Sequence, residues 1–291
     1  MNERKIYPLY FTSGALFLYV VFFVLPGLLG ISYSFTDWTS YSRTLNFVGL
    51  DNFKTLFSSN ENYVHYINNT LMFTLVTSIL KTIIGFSFAL LLTQGIKFQN
   101  FHRAMLFLPS ILSMVTVGIV FKAILHPSTG VINVFLKSAG LGFMAQQWLG
   151  NPKLAFPTVI AVDIWKGVGY IVTILIAGIQ SISRTYYEAA DIDSANWFQK
   201  FMHITLPLIM PALTVTTVLN AIYGLRAFDI IYVLTKGGPG YTTEVMATGV
   251  LKEFSLGKYA MGTAISSLMF VLTAFVGFFI VKVMSKNEVE E

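Results

Sequence analysis

The sequence predicts an all-α protein that crosses a membrane several times. Of its 291 residues, 55% are hydrophobic and 11% are charged, whereas an ordinary soluble domain is about 25% charged. The apolar residues come in runs long enough to cross a bilayer, because about 20 of them span a hydrocarbon core about 30 Å thick. So few charges cannot cover a large soluble protein, and we expect a single transmembrane domain over residues 1–291.

Six apolar segments are predicted to span the membrane, which puts both termini on the same side. The first follows Arg4 and Lys5 and is too long for the apolar region of a cleaved signal peptide, so we expect it to be retained. The predicted spans are 9–34, 66–94, 104–125, 156–179, 208–233 and 262–283.

The loops predict that the termini lie in the cytoplasm. Lysine and arginine are equally numerous on the two sides, but those at the termini and in segments 95–103 and 183–207 are packed into much less chain. Positive charge beside a span favours the cytoplasmic side, and the first span usually has most influence. The net charge of +5 then reflects loops beside anionic lipid, because no basic run indicates nucleic-acid binding.

Ionisable residues fall inside the predicted spans, where an unpaired charge is costly. Asp163 and Lys166 are three residues apart, as are Arg226 and Asp229, and this spacing lets side chains on a helix meet. We therefore expect two locally neutralised pairs. Lys81 has no partner nearby in the sequence, so we expect it to extend to the membrane surface or to bond a carbonyl.

Two predicted spans each carry a helical face of polar, aromatic and small residues. The face in the fourth span, with its edge, comprises Asp163, Trp165, Lys166, Gly167 and Tyr170. The face in the fifth span comprises Asn220, Tyr223, Gly224 and Ala227. Aromatic rings, hydrogen-bonding groups and small gaps suit an uncharged ligand with many hydroxyl groups. The alternative is that both faces only pack helices together.

Catalysis and metal binding are not indicated by the sequence. The chain has no cysteine, and its four histidines are scattered without the spacing of a metal site. It has no HExxH, GxSxG or phosphate-binding loop sequence. We therefore expect no catalytic residue, no metal and no cofactor in this chain, so that any work against a gradient is driven from elsewhere.

One polar insert, YYEAADIDSANWFQKFMHITLP, interrupts the apolar spans. Thr185 and Glu188 have the spacing of a capping box, and the alanine-rich stretch that follows favours a helix. Asp193 and Ser194 are predicted to break this helix; Ser194 alternatively caps a second helix, which Pro207 then ends. The insert is predicted to be a helix–turn–helix that fills a groove in a partner, or else a surface linker.

The insert resembles the cytoplasmic coupling loop of permease subunits in binding-protein-dependent ABC importers. The match rests on the pattern of EAA, D, SA, F and ITLPL within residues 188–208. The family usually has Gly where this chain has Ser194. FVGLDNF at 47–53 and FDIIYVLTKGGPG at 228–240 resemble segments of sugar-type permeases of the maltose and oligosaccharide group. The resemblance extends over nearly the whole chain.

The resemblance implies the fold of a type I ABC importer permease in the cytoplasmic membrane of a prokaryote. It implies import of a carbohydrate, above all an oligosaccharide. It also implies the partners: a second homologous permease, two ATPase subunits that bind ATP and Mg, an extracytoplasmic sugar-binding protein and membrane lipid. ATP hydrolysis then belongs to the ATPase subunits and not to this chain.

The family's functional positions carry over to two groups of residues. The residues implied at the ATPase interface are Glu188, Ala189, Ala190, Asp193, Ser194 and Ala195, with Pro207 closing the loop. The residues implied along the substrate path are those of the two helical faces, with Arg226 and Asp229 as secondary candidates.

Two other functions stay open from the sequence. A permease for glycerol-3-phosphate or a polyol derivative would need unpaired cationic groups, which Lys166 and Arg226 supply only if Asp163 and Asp229 do not hold them. A proton-coupled secondary transporter could use Asp163 or Asp229 as a proton relay. A membrane enzyme is less supported, because the chain lacks a recognisable catalytic set.

Overall fold

A computed structural model describes residues 10–58 and 62–287. These ranges are helical, with one isolated antiparallel bridge between Thr36 and Phe47 and no strand. The predicted all-α class is confirmed. Arg4 and Lys5, which contributed to the predicted orientation, lie outside the described residues.

The helices are numbered in chain order. The first part of the chain contains α1 (Tyr10–Tyr19), α2 (Leu25–Tyr33), α3 (Asp51–Leu56) and α4 (Tyr63–Thr93). The next contains α5 (Gln99–Ile111), α6 (Met114–Ile124), α7 (Val131–Ser138) and α8 (Pro152–Ser181). The polar insert contains α9 (Arg184–Ile192), α10 (Trp197–Lys200) and α11 (Leu206–Leu208). The last part contains α12 (Met210–Leu225), α13 (Asp229–Leu234), α14 (Met246–Ser255) and α15 (Tyr259–Met284).

Four helical stretches are each long and apolar enough to cross a membrane: Phe11–Tyr33, α4, α8 and α15. Two bent helix pairs are further candidates. α5 and α6 meet at 97°, and the stretch from Trp197 to Leu208 meets α12 at 62°. If each bent pair crosses the membrane once, the described chain has six spans, the number that the sequence predicts.

Two helical stretches pass through a proline, and a wider π-helical turn precedes it in each. Val20–Val24 precedes Pro26, and Phe201–Thr205 precedes Pro207. A proline lacks an N–H, and its ring crowds the carbonyl of the preceding turn; a π turn, which bonds residues five apart, changes that geometry. The prediction that Pro207 ends the helix is therefore wrong, because the helix continues through Pro207 to Leu208. The direction changes beyond it, at Ile209.

The chain forms two compact units. One comprises the described residues up to Val64 together with Gly249–Leu268, and the other comprises His65–Thr248 together with the residues from Met269 onward.

In the first unit, Asp37 organises the loop that follows α2. Its carboxylate accepts hydrogen bonds from the backbone N–H and from Nδ2 of Asn46, both at 2.9 Å. These bonds hold the pKa of Asp37 below its usual range, because they stabilise the charged form. Asn52 donates to the carbonyls of Ser34 and Thr36. The FVGLDNF segment therefore contributes the amide that ties α3 back to the end of the first span.

In the second unit, helices cross closely where one of them carries glycine. A Cβ on Gly169 of α8 would lie 2.9 Å from the Cα of Phe107 in α5. A Cβ on Gly224 of α12 would lie 2.8 Å from the Cα of Thr74 in α4. Small residues allow membrane helices to approach to such distances. α8 is the most buried of the four long stretches, and α4, α5 and α12 pack around it.

Candidate functional site

A cavity of about 390 Å³ lies inside the second unit, bordered by α4, α5, α8, α12 and the first residue of α6. Its volume is within the range of small-molecule pockets, about 300–1,000 Å³. The residues that line it are Lys81, Phe107, Ser110, Ile111, Met114, Asp163, Lys166, Gly167, Tyr170, Leu219, Asn220 and Tyr223.

Lys81 and Asp163 form a buried ion pair in the cavity wall. Lys81 Nζ lies 2.6 Å from Asp163 Oδ2, and the two side chains are 3% and 1% exposed. This contact is a close charge pair whose angles are not those of a hydrogen bond. Asp163 Oδ1 accepts a hydrogen bond from Tyr223 Oη at 3.1 Å. Both oxygens of the carboxylate are therefore engaged by the protein itself.

Glycine and an aromatic ring make room for the Lys81 side chain. A Cβ on Gly167 would lie 2.8 Å from both Cε and Nζ of Lys81, so only glycine leaves that space free. Lys81 Nζ also lies 4.7 Å from the centre of the Tyr223 ring, where a cation is attracted to the π-system. The lysine is thus fixed between α8 and α12 and directed at Asp163.

This ion pair replaces the one predicted from spacing. The expected Asp163–Lys166 pair is wrong, because Asp163 bonds Lys81 on α4, and spacing along a helix reveals only partners on that helix. The expectation that Lys81 reaches the surface or a carbonyl is wrong for the same reason. The expected Arg226–Asp229 pair is also wrong: α12 ends before Arg226, α13 begins at Asp229, and no ion pair joins them in the described chain.

Lys166 borders the cavity without a carboxylate partner among the described residues. Its Nζ donates to the backbone carbonyl of Ser110 at 3.3 Å. The Ser110 hydroxyl donates to the carbonyl of Lys166 at 2.9 Å and accepts from the N–H of Tyr170 at 3.1 Å. Ser110 therefore joins both ends of one turn of α8 to α5, and this turn carries the unpaired ammonium group.

The structure separates the residues predicted along the substrate path into two sets. Those that line the cavity are Asp163, Lys166, Gly167, Tyr170, Asn220 and Tyr223. The others lie elsewhere: Trp165 packs edge-on against an aromatic ring of α6, Ala227 belongs to a buried apolar cluster, and Gly224 is packed against α4. Arg226 and Asp229 are exposed.

Sequence reasoning missed the contribution of α4 and α5 to the cavity. Lys81 carried a usable signal, because a charge inside an apolar span indicates an interior position. Phe107 and Ile111 carry no such signal, since they resemble the lipid-facing residues around them. Ser110 is informative only through its contacts, which its sequence neighbours do not reveal.

A second candidate region is the polar insert, which forms two short helices and a tight turn. α9 is capped by Ser183, whose Oγ accepts from the N–H of Thr185. The predicted capping box of Thr185 and Glu188 is therefore wrong, because the helix begins at Arg184. The exposed members of the predicted coupling set are Glu188, Ala189, Asp193 and Ser194, and the half-buried ones are Ala190, Ala195 and Pro207.

Ser194 forms the turn between the two helices. Its φ is 55°, the left-handed conformation that costs a non-glycine residue about 1–2 kcal/mol. The break predicted at this position is confirmed, but the alternative role as a cap belongs to Asn196. Asn196 Oδ1 accepts from the N–H of Gln199, and Gln199 Oε1 accepts from the N–H of Asn196. The usual glycine of the coupling-loop pattern would occupy this turn without strain.

The two arms of the insert are held together, and several of its large apolar side chains stay exposed. Tyr187 Oη lies 2.9 Å from Thr205 Oγ1, and Lys200 forms an ion pair with Asp191. The large apolar side chains of the insert that remain exposed are Tyr186, Ile192, Trp197, Phe198 and Met202. Contiguous exposed apolar side chains are typical of a surface that binds another protein, and Trp197 and Phe198 are adjacent in the sequence.

Comparisons with known proteins agree on a single family. Residues 81–287 match the family described as binding-protein-dependent transport system inner membrane component. The chain is 38% identical over 259 residues to the trehalose/maltose transport system permease protein MalF of Thermococcus litoralis, a match covering 87% of this chain and 85% of that protein. It is 32% identical over 294 residues to the multiple sugar-binding transport system permease protein MsmF of Streptococcus mutans, covering 99% and 100%.

A solved structure has a similar fold. It is a bacterial alginate ABC transporter in complex with an alginate pentasaccharide-bound periplasmic protein. One of its chains is 26% identical and superimposes with a TM-score of 0.82, covering 97% of this chain and 96% of that one.

Proposed function

Since the chain belongs to the family of inner membrane components of binding-protein-dependent transport systems, we propose that it is the permease subunit of an ATP-driven importer for a carbohydrate, above all an oligosaccharide. The family makes it a multi-pass membrane protein and a transport subunit. The observation that carries the proposal is the cavity between α4, α5, α8 and α12, where polar and aromatic side chains converge inside otherwise apolar helices.

The cavity has the chemistry that a sugar needs. Tyr170 and Tyr223 are partly exposed and offer ring faces to apolar sugar surfaces, while Asn220 and Lys166 offer hydrogen bonds. The names of the relatives support the class of cargo: trehalose, maltose, multiple sugars and alginate. These names include both uncharged and acidic saccharides, so the family alone leaves the charge of the cargo open.

The partners follow from the family and from the insert. We infer that the chain pairs with a second homologous permease and with two ATPase subunits, which bind ATP and Mg, in the cytoplasmic membrane of a prokaryote with both termini in the cytoplasm. Cargo would be delivered by an extracytoplasmic binding protein. ATP binding would favour an outward-open cavity, and hydrolysis would return it to the inward-open state.

The insert is proposed as the contact with an ATPase subunit. The side chains of Trp197 and Phe198 are exposed and apolar, and the acidic Glu188 of α9 is exposed as well. Hot spots of protein interfaces are enriched in aromatic residues of this kind. The coupling residues would be Glu188, Ala189, Ala190, Asp193, Ser194 and Ala195, with Pro207 at the return to the membrane.

A proton-coupled transporter is less favoured by the geometry of Asp163. A proton relay needs a carboxylate that can exchange its proton, but Lys81 and Tyr223 engage both oxygens of this one. Uptake that survives the loss of ATP and collapses with the proton gradient would overturn the importer proposal.

The decisive experiment is to co-express the chain with its chromosomal neighbours, reconstitute the complex in lipid, and measure ATP hydrolysis with sugar-loaded binding proteins. We expect hydrolysis to rise with one loaded binding protein. A chain that purifies without an ATPase and shows no stimulation with any sugar would refute the proposal.

The insert has its own test. Glu188→Lys should leave the fold intact but weaken co-purification of the ATPase, because it reverses the charge of the proposed contact. Asp51→Lys is the matched control, since Asp51 is an exposed acid of the first unit with a surface ion pair worth at most about 1 kcal/mol. Equal ATPase recovery and equal transport in both variants would remove the coupling assignment.

A further inference from the structure

We propose that the saccharide carried through this cavity bears a negative charge, in the form of a carboxylate, sulfonate or phosphate group, and that Lys166 and Asn220 bind it. This inference rests on the proposed function and specifies its cargo. It departs from the uncharged ligand that the two helical faces suggest. It meets the condition that the sequence sets for a phosphate-bearing cargo, because Asp163 pairs with Lys81 and not with Lys166.

The charges around the cavity do not cancel. Three of the residues that line the cavity are charged: Lys81, Lys166 and Asp163. The other lining residues carry no formal charge. Lys81 and Asp163 neutralise each other at 2.6 Å. Lys166 therefore leaves the cavity with one positive charge that no described residue compensates.

The ammonium group of Lys166 has bonding capacity left for a ligand. An ammonium has three donor hydrogens, and Nζ makes one hydrogen bond in the described chain, to the Ser110 carbonyl at 3.3 Å. The lysine is half-buried and lines the cavity. A cation inside a membrane protein is costly unless an opposite charge or a water-filled space accompanies it, and an anionic cargo supplies that charge.

Asn220 is an independent indication of a missing partner. It is 6% exposed, and its Nδ2 is buried without a hydrogen-bond partner in the described chain. Buried donors without partners are rare and require an explanation. Asn220 approaches from α12 and Lys166 from α8, so a group bound between them would be held from two sides.

No carboxylate among the described residues of the cavity wall is left to pair with Lys166. Asp163 is the only carboxylate among the lining residues, and both of its oxygens are engaged. The hydroxyl of Ser110 is also engaged, between the carbonyl of Lys166 and the N–H of Tyr170. A ligand made only of hydroxyl groups needs acceptors as well as donors, whereas an anionic oxygen only accepts. Asn220 Oδ1 and the tyrosine hydroxyls can accept from sugar hydroxyl groups, so the preference for an anion rests on the charge of Lys166 and on the free donor of Asn220.

The experiment uses the complete transporter in proteoliposomes with its binding protein. ATP hydrolysis and uptake are measured for uronate, sulfonated and phosphorylated sugars, and for neutral counterparts of the same length. The variants are Lys166→Gln, Lys166→Arg and Asn220→Leu. Lys122→Gln is the matched control, because Lys122 is an exposed lysine of α6 that does not line the cavity.

We expect an acidic sugar to stimulate the wild type. Lys166→Gln should lower the uptake of this acidic sugar about tenfold or more, since a hydrogen bond to a charged group is lost. Lys166→Arg should keep most of the uptake because it keeps the charge, and Asn220→Leu should cause a smaller loss. Lys122→Gln should transport like the wild type.

Each contrary outcome has a distinct meaning. If only neutral sugars stimulate the transporter, carbohydrate import stands and the anionic cargo is wrong. If Lys166→Gln lowers the uptake of acidic and neutral sugars equally, the lysine serves assembly and the inference fails. The inference also fails if Lys166→Arg lowers the uptake of acidic sugars as much as Lys166→Gln does. If no sugar of either kind stimulates hydrolysis, the proposed function itself fails. Recovery of each variant with its partner subunits shows whether it folds.

Discussion

Removing one member of the Lys81–Asp163 pair should destabilise the protein far more than removing both. The two charged atoms are 2.6 Å apart in a site that is almost fully buried. At an effective dielectric constant of about 20, their attraction is about 6 kcal/mol, and it is offset by a desolvation penalty of several kcal/mol for each ion. The pair as a whole therefore contributes little, whereas a single buried charge without its partner costs about 3–5 kcal/mol.

The variants are Lys81→Met, Asp163→Asn and their combination, which keep the side-chain volumes nearly constant. At about 2–4 °C for each kcal/mol, each single variant should lower the midpoint of thermal unfolding by about 10 °C. The combined variant should recover most of that loss. The measurement is thermal unfolding of the purified complex in lipid nanodiscs, with the exposed Lys122→Met as the control.

Additive losses would refute this reasoning. If the combined variant is destabilised by the sum of the two single losses, the two side chains do not act as a unit, and each must contribute through other contacts. A single variant that unfolds like the wild type would mean that water or a movement of the helices compensates the remaining charge.

Three further predictions concern backbone geometry and a loop. Gly169→Ala should cost about 1–3 kcal/mol because its methyl group meets the α5 backbone. Gly277→Ala should not destabilise the protein in the same thermal assay, since the nearest atom lies 3.9 Å from the added Cβ and alanine favours a helix over glycine by about 1 kcal/mol. Ser194→Gly should stabilise the insert by about 1 kcal/mol, and slower amide hydrogen exchange in the insert measures this gain. An equal stabilisation by Ser194→Ala would exclude backbone strain as the cause. The lowered pKa of Asp37 means that its carboxylate stabilises the loop above about pH 4, and that this stabilisation is lost as the pH falls through the lowered pKa. Hydrogen exchange of the Asn46 N–H, corrected for its intrinsic pH dependence, should therefore accelerate on acidification. Asp37→Asn should abolish that acceleration.

Composition and periodicity were sufficient for the helical membrane class. Long apolar runs can be satisfied in lipid only when each backbone group bonds within its own helix, so α4, α8 and α15 could be predicted from residue type alone. The break at Ser194 was also predictable, because it lies between a helix-favouring segment and a residue that caps the next helix.

The interior of the site could not be predicted in the same way. The partner of Asp163 lies on another helix, and nothing in the residues near Lys81 indicates which helix faces it. The apolar residues around Arg226 and Asp229 predict one continuous helix, yet α12 ends before Arg226 and α13 begins at Asp229. The start of α9 does not follow from the sequence, since Ser183 and Thr185 are both good capping residues and only the course of the backbone decides between them.

The π turn before Pro207 has a consequence for insertions and deletions. Such a turn holds one residue more than an α-helical turn, and each residue of a helix advances its rotation by about 100°. Removing one residue from Phe201–Thr205 would turn the π turn into an α-helical turn, so the helix on either side would nearly keep its rotation, whereas the same deletion inside α12 would rotate one part of that helix against the other by about 100°. Trp197 and Phe198 would therefore keep their direction when the residue is lost from the π turn.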